Sequence, residues 1–510
     1  MVFEYYLDGL VNLKSVLVLV LVFLLVAWWM QQPRNLPPGP WRLPIVGFVP
    51  QLMWSMFYKQ EELHVLATRL GQKYGKIYSF DVFGLVFVVI NDFSIMKEAN
   101  NDPILSDKGH NNELENRLFG SHFHSYKHMA EFRKFATSSF REFGIGKHSF
   151  EANIVTECKA LIGELDSLNG IPCNSHPFFV NGACNVLFSI VFGERHDYDD
   201  EQFRHLTDLN SRMGYLLGAG LWSITLPKYY PNIKSKEILK LVQDIYDFID
   251  THIKKHRQDF DAENPNDFVD VYLKTIEEWP KPVDLFSYLQ EDNMRAALFL
   301  LFFAGADTTS TILDWCCLYM MAYSDIQKKI QDEMDSVVGR NRLPQLSDQA
   351  QMPFTRAVLL EVQRHVTLFQ LSDFHTASAE TTLRGYHIPK GATIVSNIYA
   401  VMRDPVAFPE PDRFNPGRFI NEAGEYFARE EVCPFGVGRR MCIGEQLAKM
   451  ELFIFFTHLL HRYSLVKPDN APHTTFEGIY GGTSAPKPFT VKFLVREYTP
   501  WKRKNFVQRL

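Results

Sequence analysis

Read as a pattern of apolar and polar positions, the chain is dominated by helical spacing. Apolar residues recur every three to four positions over 151–168, 237–257, 292–324, 326–337, 351–366 and 444–463, which predicts amphipathic or buried helices there. Three stretches read differently. KIYSFDVFGLVFVVIND (76–92) concentrates β-branched and aromatic residues around a glycine turn and predicts a hairpin. TTLRGYHIPKGATIVSNI (381–398) and FTVKFLVRE (489–497) predict further strands. The expected fold class is therefore mainly α with a small β subdomain.

The N-terminus breaks this pattern. Leu10 to Met30 is an almost unbroken apolar run, about long enough to cross a bilayer as a helix. Trp28 and Trp29 suit one membrane interface, and Asn12, Lys14 and Ser15 stand near the other end. The rival reading, a cleaved signal peptide, fits poorly: Glu4 and Asp8 occupy the place of a basic leader, and no small-x-small cleavage site follows. The expectation is a single N-terminal transmembrane helix within 1–32. A spacer over 33–50, stiffened by Pro37, Pro38 and Pro40, would follow it, and then one folded domain over 51–510. Acidic residues before the span and Arg34 and Arg42 after it place the body in the cytosol.

Composition narrows the options. The chain has 510 residues, 46% of them hydrophobic, enough for a large core, and its net charge of -6 gives nucleic acid no purchase. Seven cysteines form an odd, scattered set without a CxxC pair, which argues for a reduced, cytosol-facing protein. Cys316 and Cys317 fall inside an apolar helical pattern and read as core.

Cys442 is different. It lies in CPFGVGRRMCIGE (433–445), a glycine-rich loop opening into an apolar helix. A loop rich in backbone N–H groups and a helix start both favour a thiolate. Such a thiolate can be a nucleophile, a metal ligand or, if buried, inert. No histidine base is placed beside it by sequence. A haem iron needs only one such donor, because the porphyrin supplies the equatorial plane.

The spacing Phe435-x-x-Gly438-x-Arg440-x-Cys442-x-Gly444 resembles the haem-binding signature of the cytochrome P-450 family. PPGPWRLPIVG, FGIGKHSFE, FGERHDYDD and PDRFNPGRF are similar to stretches of its animal microsomal members. The resemblance implies the cytochrome P-450 fold, a haem b group and Cys442 as the iron ligand. It also implies a structural network of Glu361, Arg364 and Arg413 behind the haem. Ala304-Gly305-Ala306-Asp307-Thr308-Thr309 matches the family's O2-binding stretch. There Thr308 would act as the hydrogen-bonding hydroxyl and Asp307 would deliver protons through water, while the small Ala304 leaves room for a flat ring. On the residues alone, a helical Thr308 can also bond back to the carbonyl of Ala304.

Arg133, His375, Arg440 and Lys108 stand at positions that the resemblance assigns to the haem propionates. Met129 occupies the place of a tryptophan common there and lacks its N–H donor. The implied activity is a haem-thiolate monooxygenase inserting one oxygen atom of O2 into a lipophilic substrate (steroid, fatty acid or xenobiotic). NADPH would supply electrons through a reductase, at the endoplasmic reticulum membrane. Competing readings are a haem-binding sensor or carrier without turnover, and a peroxide isomerase or dehydratase on the same fold. A basic stretch carrying Lys127, Arg133, Lys134, Arg141 and Lys147, with Arg439, is the expected reductase surface or merely a solvated face. Around the pocket, Ala306 is an expected lining residue. Gln370, Ser372 and Asp373 are polar where apolar residues are common, which favours an oxygenated, steroid-like substrate unless they bond to local backbone.

Overall fold

The computed structural model describes residues 15–23, 34–108, 126–145, 148–225, 233–278, 291–372, 374–469, 471, 475–480 and 483–496. It divides into two compact units: one holds residues up to 109 with 371–401 and 437–440, the other holds the rest.

In the first unit the hairpin forms where the pattern predicts it. Strands β1 (Ile77–Val82) and β2 (Leu85–Ile90) pair antiparallel around Phe83-Gly84, both in the left-handed region that glycine tolerates best. Helix α1 (Leu63–Tyr74) precedes them, and α2 (Phe93–Asn101) follows, started by Asp92, whose carboxylate accepts from the Ile95 N–H at 3.1 Å. The 371–401 segment adds β3 (His375–Thr376), the small hairpin β4 (Thr381–Leu383) and β5 (Tyr386–Ile388), and then β6 (Thr393–Ser396). The sheet order is β1-β2-β6-β3, with β6 parallel to β2 and antiparallel to β3. The proline-rich stretch is packed against this sheet instead of standing off as a spacer. Pro37 and Pro38 carbonyls accept from the Ser79 hydroxyl and amide, at 2.6 and 2.8 Å, and a Cβ on Gly39 would collide with the Ser79 carbonyl. Phe48 is buried. The extended backbone that proline enforces offers unpaired carbonyls, and β1 supplies the donors.

The second unit is helical: α3 (Tyr126–Glu142), α4 (His148–Ser167), α5 (His176–Val191), α6 (Glu201–Thr225), α7 (Ile233–Asp259), α8 (Phe268–Glu278), α9 (Glu291–Ala322), α10 (Ser324–Val337), α11 (Pro353–Val366) and α12 (Glu445–Arg462). Short strands β7 (Tyr463–Val466), β8 (Gly478–Tyr480), β9 (Ser484–Pro486) and β10 (Lys492–Val495) pair as β10-β7 and β8-β9. All six predicted helices are present. The periodicity did not single out α1, α2, α3, α5, α6 or α8. In α5 the reason is clear, since nearly every side chain from Phe179 to Val191 is buried and no polar face marks the period.

Helix α9 is the axis of the core, packed against α5, α6, α7, α11 and α12. Its residues 293–322 are long and apolar enough to cross a membrane, yet 67% of the most apolar window is buried inside the protein, as for a core helix. Trp315 donates its indole N–H to the Ser484 carbonyl at 2.7 Å, and Asp314 accepts from the Ser175 hydroxyl, which ties β9 and the start of α5 to this axis. Cys316 and Cys317 are buried and free, as expected. Residues 15–23 are helical with exposed apolar side chains; the remainder of the expected 10–30 span lies outside the described residues.

Near the end of α7, His256 Nε2 meets the Asp267 carboxylate at 2.8 Å, both nearly buried. Burial alone would lower the imidazole pKa, but the hydrogen bond and charge of Asp267 raise it to about 9. A raised folded-state pKa gives stability that is present in full below the unfolded value and fades as pH climbs through about 9. His256→Gln should cost about 1.5–3 kcal/mol at pH 6. The penalty should shrink markedly by pH 10, as measured by denaturant unfolding at both pH values. A penalty that does not change with pH would show that the pair is not ionic.

Candidate functional site

The second unit carries the cysteine. The Cys442 amide donates to the Phe435 carbonyl at 2.9 Å, closing the loop just before α12, and Lys449 lies over the Phe435 ring. Cys442 is exposed. Its thiol is nevertheless pushed up in pKa by the protein around it. The Gly444 and Glu445 amides, directed at the sulfur, and the Arg133 guanidinium partly offset that rise. The loop and helix start alone were expected to favour the thiolate; desolvation outweighs them. A cationic partner on the sulfur would reverse the balance.

Gly438 sits at φ +82°, and a Cβ there would strike the Asn100 carbonyl at 2.5 Å, so only glycine lets this part of the loop lie on α2. That contact belongs to the first unit, as does Arg440. The Arg440 Nε donates to the Ser106 carbonyl at 3.1 Å, and its guanidinium lies 3.9 Å from Asp107. The Thr376 amide in turn donates to the Asp107 carbonyl at 2.6 Å. Arg440, Lys108 and the buried His375 are thus gathered around Asp107 within the first unit, three of the four cationic positions expected for propionates. Arg133, the fourth, neighbours Cys442 in the second unit. Side-chain positions of Met129 and Lys127, and residues Lys147 and Asp373, lie outside the described residues.

On α9 the Thr308 hydroxyl donates to the Ala304 carbonyl at 2.7 Å, the back-bond anticipated from sequence. Ala304 is exposed midway along a helix that is otherwise buried over most of its length. Thr308 shares its face, four residues on. Ala306 is half a turn away from both, on the opposite side, and is completely buried in the core. It therefore lines no pocket, a correction that follows from the helical period itself. Asp307 is buried and accepts from Thr483 at 3.1 Å. Desolvation raises its pKa, with Thr483 opposing. Thr309 reaches across to Glu451 of α12 at 3.1 Å, a buried acid whose pKa desolvation raises to about 8. Neither Thr483 nor Glu451 could be found from sequence, because each meets α9 from more than 140 positions away.

The buried ion network corrects a second expectation. Glu361 and Arg364 of α11 are fully buried and joined by two bonds, of 2.6 and 3.0 Å. The third member is Arg418, whose Nε meets Glu361 Oε1 at 3.0 Å. Arg413 is exposed and pairs with Glu410. Arg413 ends a turn closed by its own amide bond to the Glu410 carbonyl, whereas Arg418 follows Asn415, whose amide also donates to Glu361 at 2.8 Å, so the backbone turns the later arginine inward. Ser372 is likewise satisfied locally: its hydroxyl accepts from the Ser396 amide at 3.0 Å. Gln370 is buried with its side-chain nitrogen unpartnered.

Within the second unit, a soft sulfur donor at a helix start with Arg133 beside it, and a face on α9 where Ala304 is exposed, suit an iron macrocycle. Comparison with known proteins agrees. A family profile described as "Cytochrome P450" matches residues 37–493. The chain belongs to the cytochrome P450 family. Its relatives include rat cytochrome P450 2U1, 36% identical over 493 residues and 92% of each chain. Human cytochrome P450 2J2 is 35% identical over 479 residues, 91% of this chain and 92% of its own. Members of this family are monooxygenases that hold a haem iron through a cysteine thiolate, and this P450 is an enzyme of that kind.

The ion network separates the two arginines experimentally. Glu361→Gln strands the buried Arg364 and should cost about 3–5 kcal/mol. Arg418→Ala should cost about 1.5–3 kcal/mol and Arg413→Ala no more than about 0.5 kcal/mol. Denaturant midpoints of the three variants check the order; equal effects at 413 and 418 would refute the assignment.

Proposed function

We propose that this P450 oxidises a lipophilic substrate at the endoplasmic reticulum membrane, with Cys442 as its iron ligand and NADPH electrons arriving through a reductase. The observation that carries this reading is the accessible Cys442 thiol at the start of α12, faced by the Gly444 and Glu445 amides with Arg133 beside it. When bound, the haem supplies the redox chemistry that activates O2 and transfers one oxygen atom. The protein's part is positioning and proton supply. Amides at the sulfur temper its charge, and Arg133, Arg440, His375 and Lys108 neutralise acidic side arms. The Thr308 hydroxyl, which donates to the Ala304 carbonyl, would turn from that bond to present its proton to the side where Ala304 is exposed. Asp307, whose burial favours the protonated acid, stores the proton that replaces it.

Cys442→Ala should abolish the long-wavelength Soret band of the reduced, CO-treated protein; an intact band would remove the ligand assignment. Thr308→Ala should keep that band but lower product formed per NADPH several-fold, with the missing electrons recovered as peroxide. Unchanged coupling would take Thr308 out of the reaction.

The polar residues near 370 support a substrate with an oxygen function less strongly than their types suggested. Ser372 is spent on Ser396, which leaves the Gln370 amide as the donor for a hydroxyl or keto group on an oxygenated, steroid-like lipid. The 10–30 segment is the proposed membrane anchor, with its described part helical and apolar.

For the reductase we propose the exposed face of α3 on which Lys134 and Arg141 stand two turns apart. Lys134→Glu with Arg141→Glu should slow reduction by NADPH and reductase roughly tenfold at low salt while leaving dithionite reduction unchanged. Equal slowing of both, or of neither, rejects this surface.

A further inference from the structure

After α5 ends at Val191, the chain passes through Gly193-Glu-Arg-His-Asp-Tyr-Asp-Asp before α6 begins. In this connection Glu194 and His196 come against His252 of α7, and one ligand-capable atom from each of the three lies within 4.8 Å of the others. The two imidazoles stand nearly perpendicular, centroids 6.0 Å apart. Each has one nitrogen engaged and one left over. His252 Nδ1 contacts the Phe248 carbonyl at 3.1 Å, which only an N–H can do, so its Nε2 carries a lone pair. His196 Nδ1 faces the Asp200 carboxylate at 3.7 Å, while its Nε2 is buried without a hydrogen-bond partner.

Buried polar atoms seldom stay unsatisfied in a folded protein. The pattern resembles that of metal-binding histidines, in which one ring nitrogen faces a carbonyl or a carboxylate and the other is left for the ion. Phe188, Phe192, Phe203 and Phe248 pack against the two rings and fix their planes. The third donor, Glu194, is paired with Lys255. Lys255 pairs with only one of its oxygens, and the lysine is 60% exposed and able to swing away.

We propose that Glu194, His196 and His252 form a binding site for one Zn2+ ion, which fastens the 193–200 connection to α7. Two imidazoles and a carboxylate suit Zn2+ better than Ca2+ or Mg2+, and water would complete a tetrahedral set. Zinc–ligand bonds of about 2.0–2.1 Å place the donors roughly 3.3 Å apart, so donors that lie within 4.8 Å of one another must draw in by up to about 1.5 Å. Rotation of the half-exposed Glu194 and of His196 provides this. None of the three belongs to the site around Cys442.

The neighbouring trio of His256, Asp267 and Asp270 is built differently. Both His256 nitrogens are occupied, by the His252 carbonyl and by Asp267, and both aspartates already accept backbone amides, so that cluster is a closed ion pair.

The haem-loaded protein, dialysed free of metal, is titrated with ZnCl2 by calorimetry, and zinc-edge absorption spectra are recorded on the complex. The expected result is one equivalent bound at micromolar or lower Kd, with nitrogen and oxygen neighbours including imidazole and no sulfur. His196→Phe and His252→Phe, which keep an aromatic ring in the aromatic wall, should each weaken binding at least about 10–100-fold. Glu194→Gln should weaken it about tenfold, and Asp270→Asn should leave it within about threefold. The CO-band of each variant reports that the fold survives, and should His252→Phe not fold, His196→Phe and Glu194→Gln still decide. Absence of stoichiometric binding by the wild type, sulfur in the zinc shell, or undiminished binding by His196→Phe and Glu194→Gln overturns the proposal.

Discussion

The Glu361 carboxylate is the interaction on which the rest of the second unit hangs. It is fully buried, a position that costs several kcal/mol unless its charge is answered, and it is answered from three directions. Arg364 comes from its own helix, and Arg418 and the Asn415 amide come from a stretch with almost no regular structure. Arg364 spends its remaining donors on the Met402 and Pro411 carbonyls. Arg403 and His365 add bonds to the His365 and Asp412 carbonyls. Residues 402–418 therefore owe their path to charge satisfaction, where α11 owes its own to periodicity.

Helix α9 resolves a conflict between burial and chemistry. Most of its surface is apolar and enclosed, yet it carries Asp307, Thr308, Thr309 and Ser310 in succession. Each is reconciled separately: Asp307 with Thr483, Thr308 with the Ala304 carbonyl, Thr309 with Glu451, and Ser310 with the Ala306 carbonyl. Two of these bonds turn back on the helix, and two fasten other elements to it. Polar side chains in a core are costly only when unpartnered, and here the partners double as tethers.

The first unit does comparable work with a sheet. The Asp107 backbone holds β3, and its carboxylate holds the Lys108 amide and lies near Arg440. A single acidic residue thus ties the Lys108 backbone, the strand that carries His375 and the Arg440 side chain to one point.

Local rules settled much of this protein from sequence. Helical spacing and the hairpin turn at Phe83-Gly84 are decided within a few residues by sterics and by hydrogen bonds to near neighbours. The Thr308 back-bond is equally local and was equally legible. What sequence could not decide was which distant groups would meet. Arg413 and Arg418 differ by five positions and carry the same charge; only the turn at Asn415 chooses between them. Ala306 looked like a pocket residue until the helix was oriented in its core. Ser372 found its partner on a neighbouring strand. His196 and His252 are 56 positions apart in number, 252 against 196, and became a pair only because α7 packs beside the end of α5. Periodicity says that a face is buried, while tertiary packing says against what, and chemistry depends on the second answer.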